Sequence, residues 1–112
     1  MEITKVAKVC HEVNRAYCKA TGMPELPAWD EAPQWMRDSA IQGVRAMVES
    51  KATTPEQLHQ KWVEYKVKEG WVWGPKKDPE KKTHPSLLPY DALLPAEKVK
   101  DYLFAAVVNS ML

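Results

Sequence analysis

The chain has 112 residues, 45% of them hydrophobic and 28% charged, and a formal net charge of +1. That length and composition describe one globular domain and exclude a disordered, polar tail. The near balance of charge supplies no global field for nucleic acid or an anionic membrane, so any anion site has to be local.

Taken in chain order, Ile3, Val6, Cys10, Val13 and Tyr17 recur at steps of three and four, one stripe of an amphipathic helix. The neighbouring stripe, Lys8, His11, Asn14, Arg15 and Cys18, is polar and compact. Gly22 and Pro24 then give the usual stop signal. Residues 22–33 contain three prolines and form an irregular connector. Trp29 within it is expected to pin the connector to the core.

A second helix is led in by Asp30 and Glu31, with Pro33 expected in its first turn. Its inward stripe reads Met36, Ala40, Val44, Met47 and Val48. Gly43 in the middle weakens a helix by roughly 1 kcal/mol and implies close approach of another backbone. The third helix opens on a capping box, Thr54-Pro55-Glu56-Gln57. Leu58, Trp62 and Tyr65 form its buried side, His59, Val63 and Lys66 the adjacent face, and Gly70 ends it.

Trp71-Val72-Trp73 alternates, so an extended segment turns both indoles to one side. Gly74-Pro75 breaks it, and residues 76–82 form a charged turn around Asp78-Pro79. Ser86-Leu87-Leu88 is expected to pair back on 71–73 as a short hairpin, which needs helices beneath it. Pro95 opens the last helix, whose stretch from Tyr102 to Val108 is apolar nearly all round. Such a helix is either central to the core or covered by a second chain. The fold class is therefore mainly α: a compact four-helix domain with a small β-hairpin after the third helix.

Metal chemistry has little support. Cys10 and Cys18 lie about 12 Å apart along one helix, and His11, His59 and His84 show no metal-ligand spacing. Both cysteines read as small core residues. His11 reads as a helix-packing hydrogen-bond donor and His84 as a residue that fixes its loop before Pro85. Ser39, Ser50, Ser86 and the two cysteines have no base set beside them by any motif, and no glycine-rich phosphate loop is present, so no catalytic residue is expected. Trp35 and Trp62, at helical spacing, read as core. Trp71 and Trp73 beside lysines, with Trp29 in its loop, admit two readings. They are core anchors, or they are a stacking wall for a planar ring with cations nearby for phosphate. In the second reading Arg15, Lys66, Lys76 and Lys77 supply the charge, and His11 and Asn14 the polar contacts. Lys81 and Lys82 fit a solvated turn balanced by Asp78 and Glu80.

Several of these residues carry a resemblance. His59 and Trp62 match H-x2-W, Lys66 to Gly74 match K-x3-GW-x-WG, and Asp78 and Lys81 match D-x2-K. His84-Pro85 follows, then Leu-Pro and Glu97-Lys98. In this order they resemble the ryanodine-receptor repeat, or RyR domain, over residues 59–110. His11 to Arg15 and Pro27 to Pro33 in the first half, 1–58, look like the longer stand-alone form of bacteria and their phages. The resemblance implies a single small, mostly helical domain with a minor hairpin. In the animal receptors such repeats are cytosolic modules outside the pore, and a tandem pair is associated with adenine nucleotide. This chain has one repeat, so a site shared between two requires a dimer or the extra first helix.

The function expected is a non-catalytic binding module for a nucleotide-like anion, with its pocket between the first helix and the hairpin and no cofactor. The alternatives are a protein-interaction or assembly module of a phage or bacterium, working as a homodimer through the C-terminal helix, and a nucleotide-directed enzyme. The charged start and the lack of a bilayer-length apolar run imply a cytoplasmic protein with reduced thiols, binding neither nucleic acid nor membrane.

Overall fold

A computed structural model describes residues 2–49 and 54–111. It contains α1 (Ile3–Thr21), α2 (Gln34–Glu49), α3 (Pro55–Lys68) and α4 (Pro95–Met111). Two-residue strands β1 (Val72–Trp73) and β2 (Thr83–His84) follow α3, and single 3-10 turns sit at Trp29–Glu31 and Tyr90–Ala92. The mainly α, four-helix expectation holds. Among the described residues no helix is long and apolar enough to cross a membrane.

Local chemistry sets the helix ends. At α1, Gly22 adopts the left-handed conformation (φ +74°) and donates its N–H to the Cys18 carbonyl, which also accepts from Met23. The Thr54 capping box is complete: its hydroxyl accepts from the Gln57 N–H at 3.2 Å, and the Gln57 side chain accepts from the Thr54 N–H at 3.3 Å. Pro33 stands just ahead of α2 and supplies the carbonyl that accepts from Met36 and Arg37.

The helices bury one shared core. Val6, Ala7 and Cys10 of α1 meet Val44 and Met47 of α2, Leu58 of α3, and Ala105 and Val108 of α4, with Trp29 closing one end. Phe104 and Val107 pack on its margin. The close approach expected at Gly43 is real, but its partner is a side chain. A Cβ there would lie 2.8 Å from the Phe104 ring. α4 is therefore central through Ala105 and Val108, while Val99, Tyr102 and Ala106 remain exposed on its outer side.

The strand pairing departs from the hairpin expected. β1 and β2 run parallel, with Val72 opposite Thr83 and Trp73 opposite His84, and residues 86–88 take no part. Parallel pairing normally needs a crossover of a dozen residues or more. Here each strand is only two residues long, and the connection folds on itself. The Asp78 carboxylate accepts from the Glu80 and Lys81 N–H groups, and Asp78 and Thr83 exchange backbone hydrogen bonds. Lys82, at φ +54°, completes the reversal. Thr83 then passes so close over Gly74 that a Cβ on the glycine would sit 2.6 Å from that of Thr83.

Candidate functional site

The end of α3 builds the centre of the site. Gly70, at φ +91°, donates its N–H to the Val67 carbonyl, and Trp71 donates its N–H to that of Lys66. This is the Schellman arrangement, which brings the residue after the glycine back over the one five positions earlier. The usual apolar contact is replaced by an ammonium on an indole: Lys66 Nζ lies 4.6 Å from the Trp71 ring centroid. Trp35, from the first turn of α2, closes the other side. Its ring is 5.0 Å from Lys66 Nζ and 5.3 Å from the Trp71 ring.

Lys66 is only 3% exposed, yet no carboxylate or carbonyl of the described residues accepts a hydrogen bond from its ammonium. Burial, reinforced by the nearby Lys77 charge and opposed by Glu69, pushes its pKa down to about 8. Lys77 belongs to an exposed stretch of the connection, but its ammonium turns inward to 5.4 Å from the Trp35 centroid. Loss of water around it, then repulsion from Lys100, lowers its pKa as well. Lys100 of α4 is matched: its ammonium lies 3.2 Å from the Glu97 carboxylate, which also accepts the Ser86 hydroxyl at 3.3 Å.

His84 stands where these groups converge, its ring 6.4 Å from Trp71 and 5.0 Å from Trp62. The Ser86 N–H donates to its Nδ1 at 3.0 Å, so the ring hydrogen resides on Nε2. Burial, with Lys77, Lys66 and Lys100 around it, pushes its pKa down to about 3. The imidazole is thus neutral at physiological pH. Trp35, Lys66, Trp71, Lys77, His84 and Lys100 form one cluster drawn from α2, α3, the connection, β2 and α4.

Part of the residue set singled out from sequence enters this cluster, and part lies elsewhere. Lys66, Trp71 and Lys77 come together. Trp71, 5% exposed, has its ring taken up by Trp35, Lys66 and His84, so it holds the lysine in place and offers no free face. Trp73 is 54% exposed and does not share its side, because Trp71 is still bound to the helix end while Trp73 lies in β1. Lys76 is exposed, and its carbonyl accepts the Thr83 hydroxyl.

His11 and Trp29 form a separate assembly. Their rings meet edge to face at 5.7 Å, and His11 Nε2 donates to the Pro27 carbonyl at 2.7 Å. The Trp29 N–H donates to the Glu12 carboxylate, which also pairs with Arg15 at 3.0 Å. Asn14 accepts a long contact from the Cys18 thiol. These groups fasten the proline-rich connector to α1.

A second buried polar pair lies beyond Trp62. His59 Nε2 donates to the Leu88 carbonyl at 2.7 Å, leaving Nδ1 3.6 Å from Asp101. Burial, then the Glu97 charge, pushes the Asp101 carboxyl up to about 7, and burial lowers the His59 pKa. The approach therefore joins two groups that favour their neutral forms. Among the described residues no set of three or more His, Cys, Asp or Glu side chains lies close enough to hold a metal ion.

The RyR domain family model matches residues 33–111. The chain belongs to this family. The match begins at α2, ahead of residue 59 where the sequence resemblance was placed, and runs to the end of α4. All six residues of the lysine–tryptophan cluster fall within the RyR domain, and the His11–Trp29 assembly falls before it. Among curated proteins the chain finds no match.

Proposed function

We propose that this RyR domain is a non-catalytic binding module for a small, ring-bearing anion of nucleotide type, held at the cluster of Lys66, Lys77, Lys100 and His84 beside Trp35. The observation that carries the reading is Lys66. A buried ammonium without an oxygen partner destabilises a fold, and groups perturbed in this way concentrate at binding sites. An anion provides what the fold omits. Half-buried Trp35, packed on Trp71 and beside both ammonium groups, gives the ligand's ring an apolar edge to rest against.

Thermal unfolding of the purified chain against a panel of nucleotides tests this. A nucleotide present at roughly a hundred times its Kd is expected to stabilise the domain by about 2.7 kcal/mol, a shift of several degrees. No shift with any nucleotide at millimolar concentration would contradict the reading.

A further inference from the structure

We infer that the chain pairs with a second copy of itself, each α3 seating in the groove between α2 and α3 of the other across a twofold axis at Tyr65. A groove of about 480 Å³ runs between these two helices, and none of the residues lining it belongs to the lysine–tryptophan cluster. On the α2 side it meets only Gln42 and Ala46, so that wall is low. The α3 side is a ridge of four charged residues around half-buried Tyr65: Lys61, Glu64, Lys68 and Glu69. All four are exposed, and their steps of three and four place them on one stripe of the helix. A ridge of one helix set into the groove of its neighbour is the ordinary way helices pack.

The charges on this stripe are unused within the chain. Glu64 and Lys68 stand at the spacing where an acid and a base pair best on a helix, yet the described residues hold no ion pair between them. The Glu64 carboxylate accepts from the Gln60 amide, and the side chains of Lys61, Lys68 and Glu69 make no hydrogen bond or ion pair among the described residues. Lys66 feels Glu69 as a nearby charge without a bond to it. Along both rims the signs nearly cancel: Arg45, Lys61 and Lys68 stand against Asp38, Glu49, Glu64 and Glu69. A nucleic acid, or any partner of one sign, meets repulsion as well as attraction there. A second copy turned end for end meets the opposite sign. Lys61 and Glu69 each lie four residues, about 6 Å, from Tyr65, in opposite directions along the helix. The twofold axis therefore sets Lys61 on Glu69 of the second copy, and brings Glu64 within side-chain reach of its Lys68. A parallel pairing would set Lys61 on Lys61 and Glu64 on Glu64. One patch meeting itself in this way is an isologous interface, with a tyrosine at its centre. The exposed stripe of α4 at Val99, Tyr102 and Ala106 carries no charge to fix a register.

Sedimentation equilibrium of the full chain tests this. The parent is expected to form a dimer that dissociates on dilution and weakens as salt is raised. Lys61→Glu and Glu69→Lys each oppose like charges at two symmetry-related places, and each is expected to weaken the dimer at least about tenfold. Both changes in one chain exchange the signs and are expected to restore the parent affinity. Tyr102→Lys, on the outer side of α4, is expected to leave the dimer as it was. All three positions are exposed, so the variants keep the fold. A parent that stays monomeric at millimolar concentration would overturn the inference. So would a dimer that Tyr102→Lys removes, or one that the paired exchange fails to restore.

Discussion

Lys66→Met is expected to make the protein more stable and to abolish its response to anions. With the folded pKa pushed down to about 8 from 10.5, the charged side chain is disfavoured by folding. The sign follows from proton counting. The unfolded chain holds more protons between about pH 8 and 10.5, so the stability tied to this group is present above that window and lost below it. At neutral pH the full cost applies, about 3 kcal/mol for a shift of this size. Exchanging the packing of the lysine stem on Trp35 and Trp71 for that of methionine takes back about 1–1.5 kcal/mol. The difference leaves the methionine variant about 1–2 kcal/mol more stable, several degrees in Tm for a domain of this length. Thermal unfolding with and without adenosine monophosphate checks both halves. A variant less stable than the parent, or one that keeps the ligand shift, would show that Lys66 serves packing alone.

Asp101→Asn gives the largest pH-dependent effect. Its carboxyl is raised from 3.8 to about 7, chiefly by burial. A raised acid contributes stability that is whole below pH 3.8 and lost as pH climbs to about 7. The loss is on the order of 4 kcal/mol at most. His84 works in the opposite sense over nearly the same range. Its pKa falls from 6.5 to about 3, so its contribution is present above pH 6.5 and lost on acidification. The parent profile is therefore flatter than either group alone would make it, and the variant isolates Asp101. In urea unfolding the asparagine variant should match the parent in acid and exceed it by an order of 2–4 kcal/mol above neutrality. Its amide still donates toward His59 Nδ1. A stability difference that does not change with pH would reject this account of the pair.

Much of the scaffold was legible because its signals are local. Gly22 ends α1, Thr54 and Gln57 open α3, and the inward stripe of α2 is seated on Val44 and Met47. The errors came from partners brought by tertiary structure. Gly43 makes room for Phe104, which lies two helices away, and no spacing around the glycine reveals whether ring or backbone arrives. The hairpin was inferred from an apolar run at 86–88, but Ser86 is engaged instead by His84 and Glu97.

The site divides in the same way. Lys66 and Trp71 were within reach of sequence reasoning, since a lysine five residues before a tryptophan that follows a helix-ending glycine is the Schellman spacing. Trp35, His84 and Lys100 were missed because they come from elements far apart in the chain. Trp35 looks like a core residue at helical spacing, and His84 like a loop fastener, which it also is. Trp29 also seals the core, and the polar groups of His11 and Trp29 are spent on anchoring the proline-rich connector to α1.

The most direct test of an unmatched ammonium awaiting an anion is the titration of Lys66 itself by NMR of its ε-carbon, free and saturated with adenosine monophosphate. The account predicts a midpoint near 8 in the free protein that moves toward the ordinary 10.5 once the phosphate is bound. A midpoint already at 10.5 in the free protein, or one that the nucleotide leaves where it was, would contradict it.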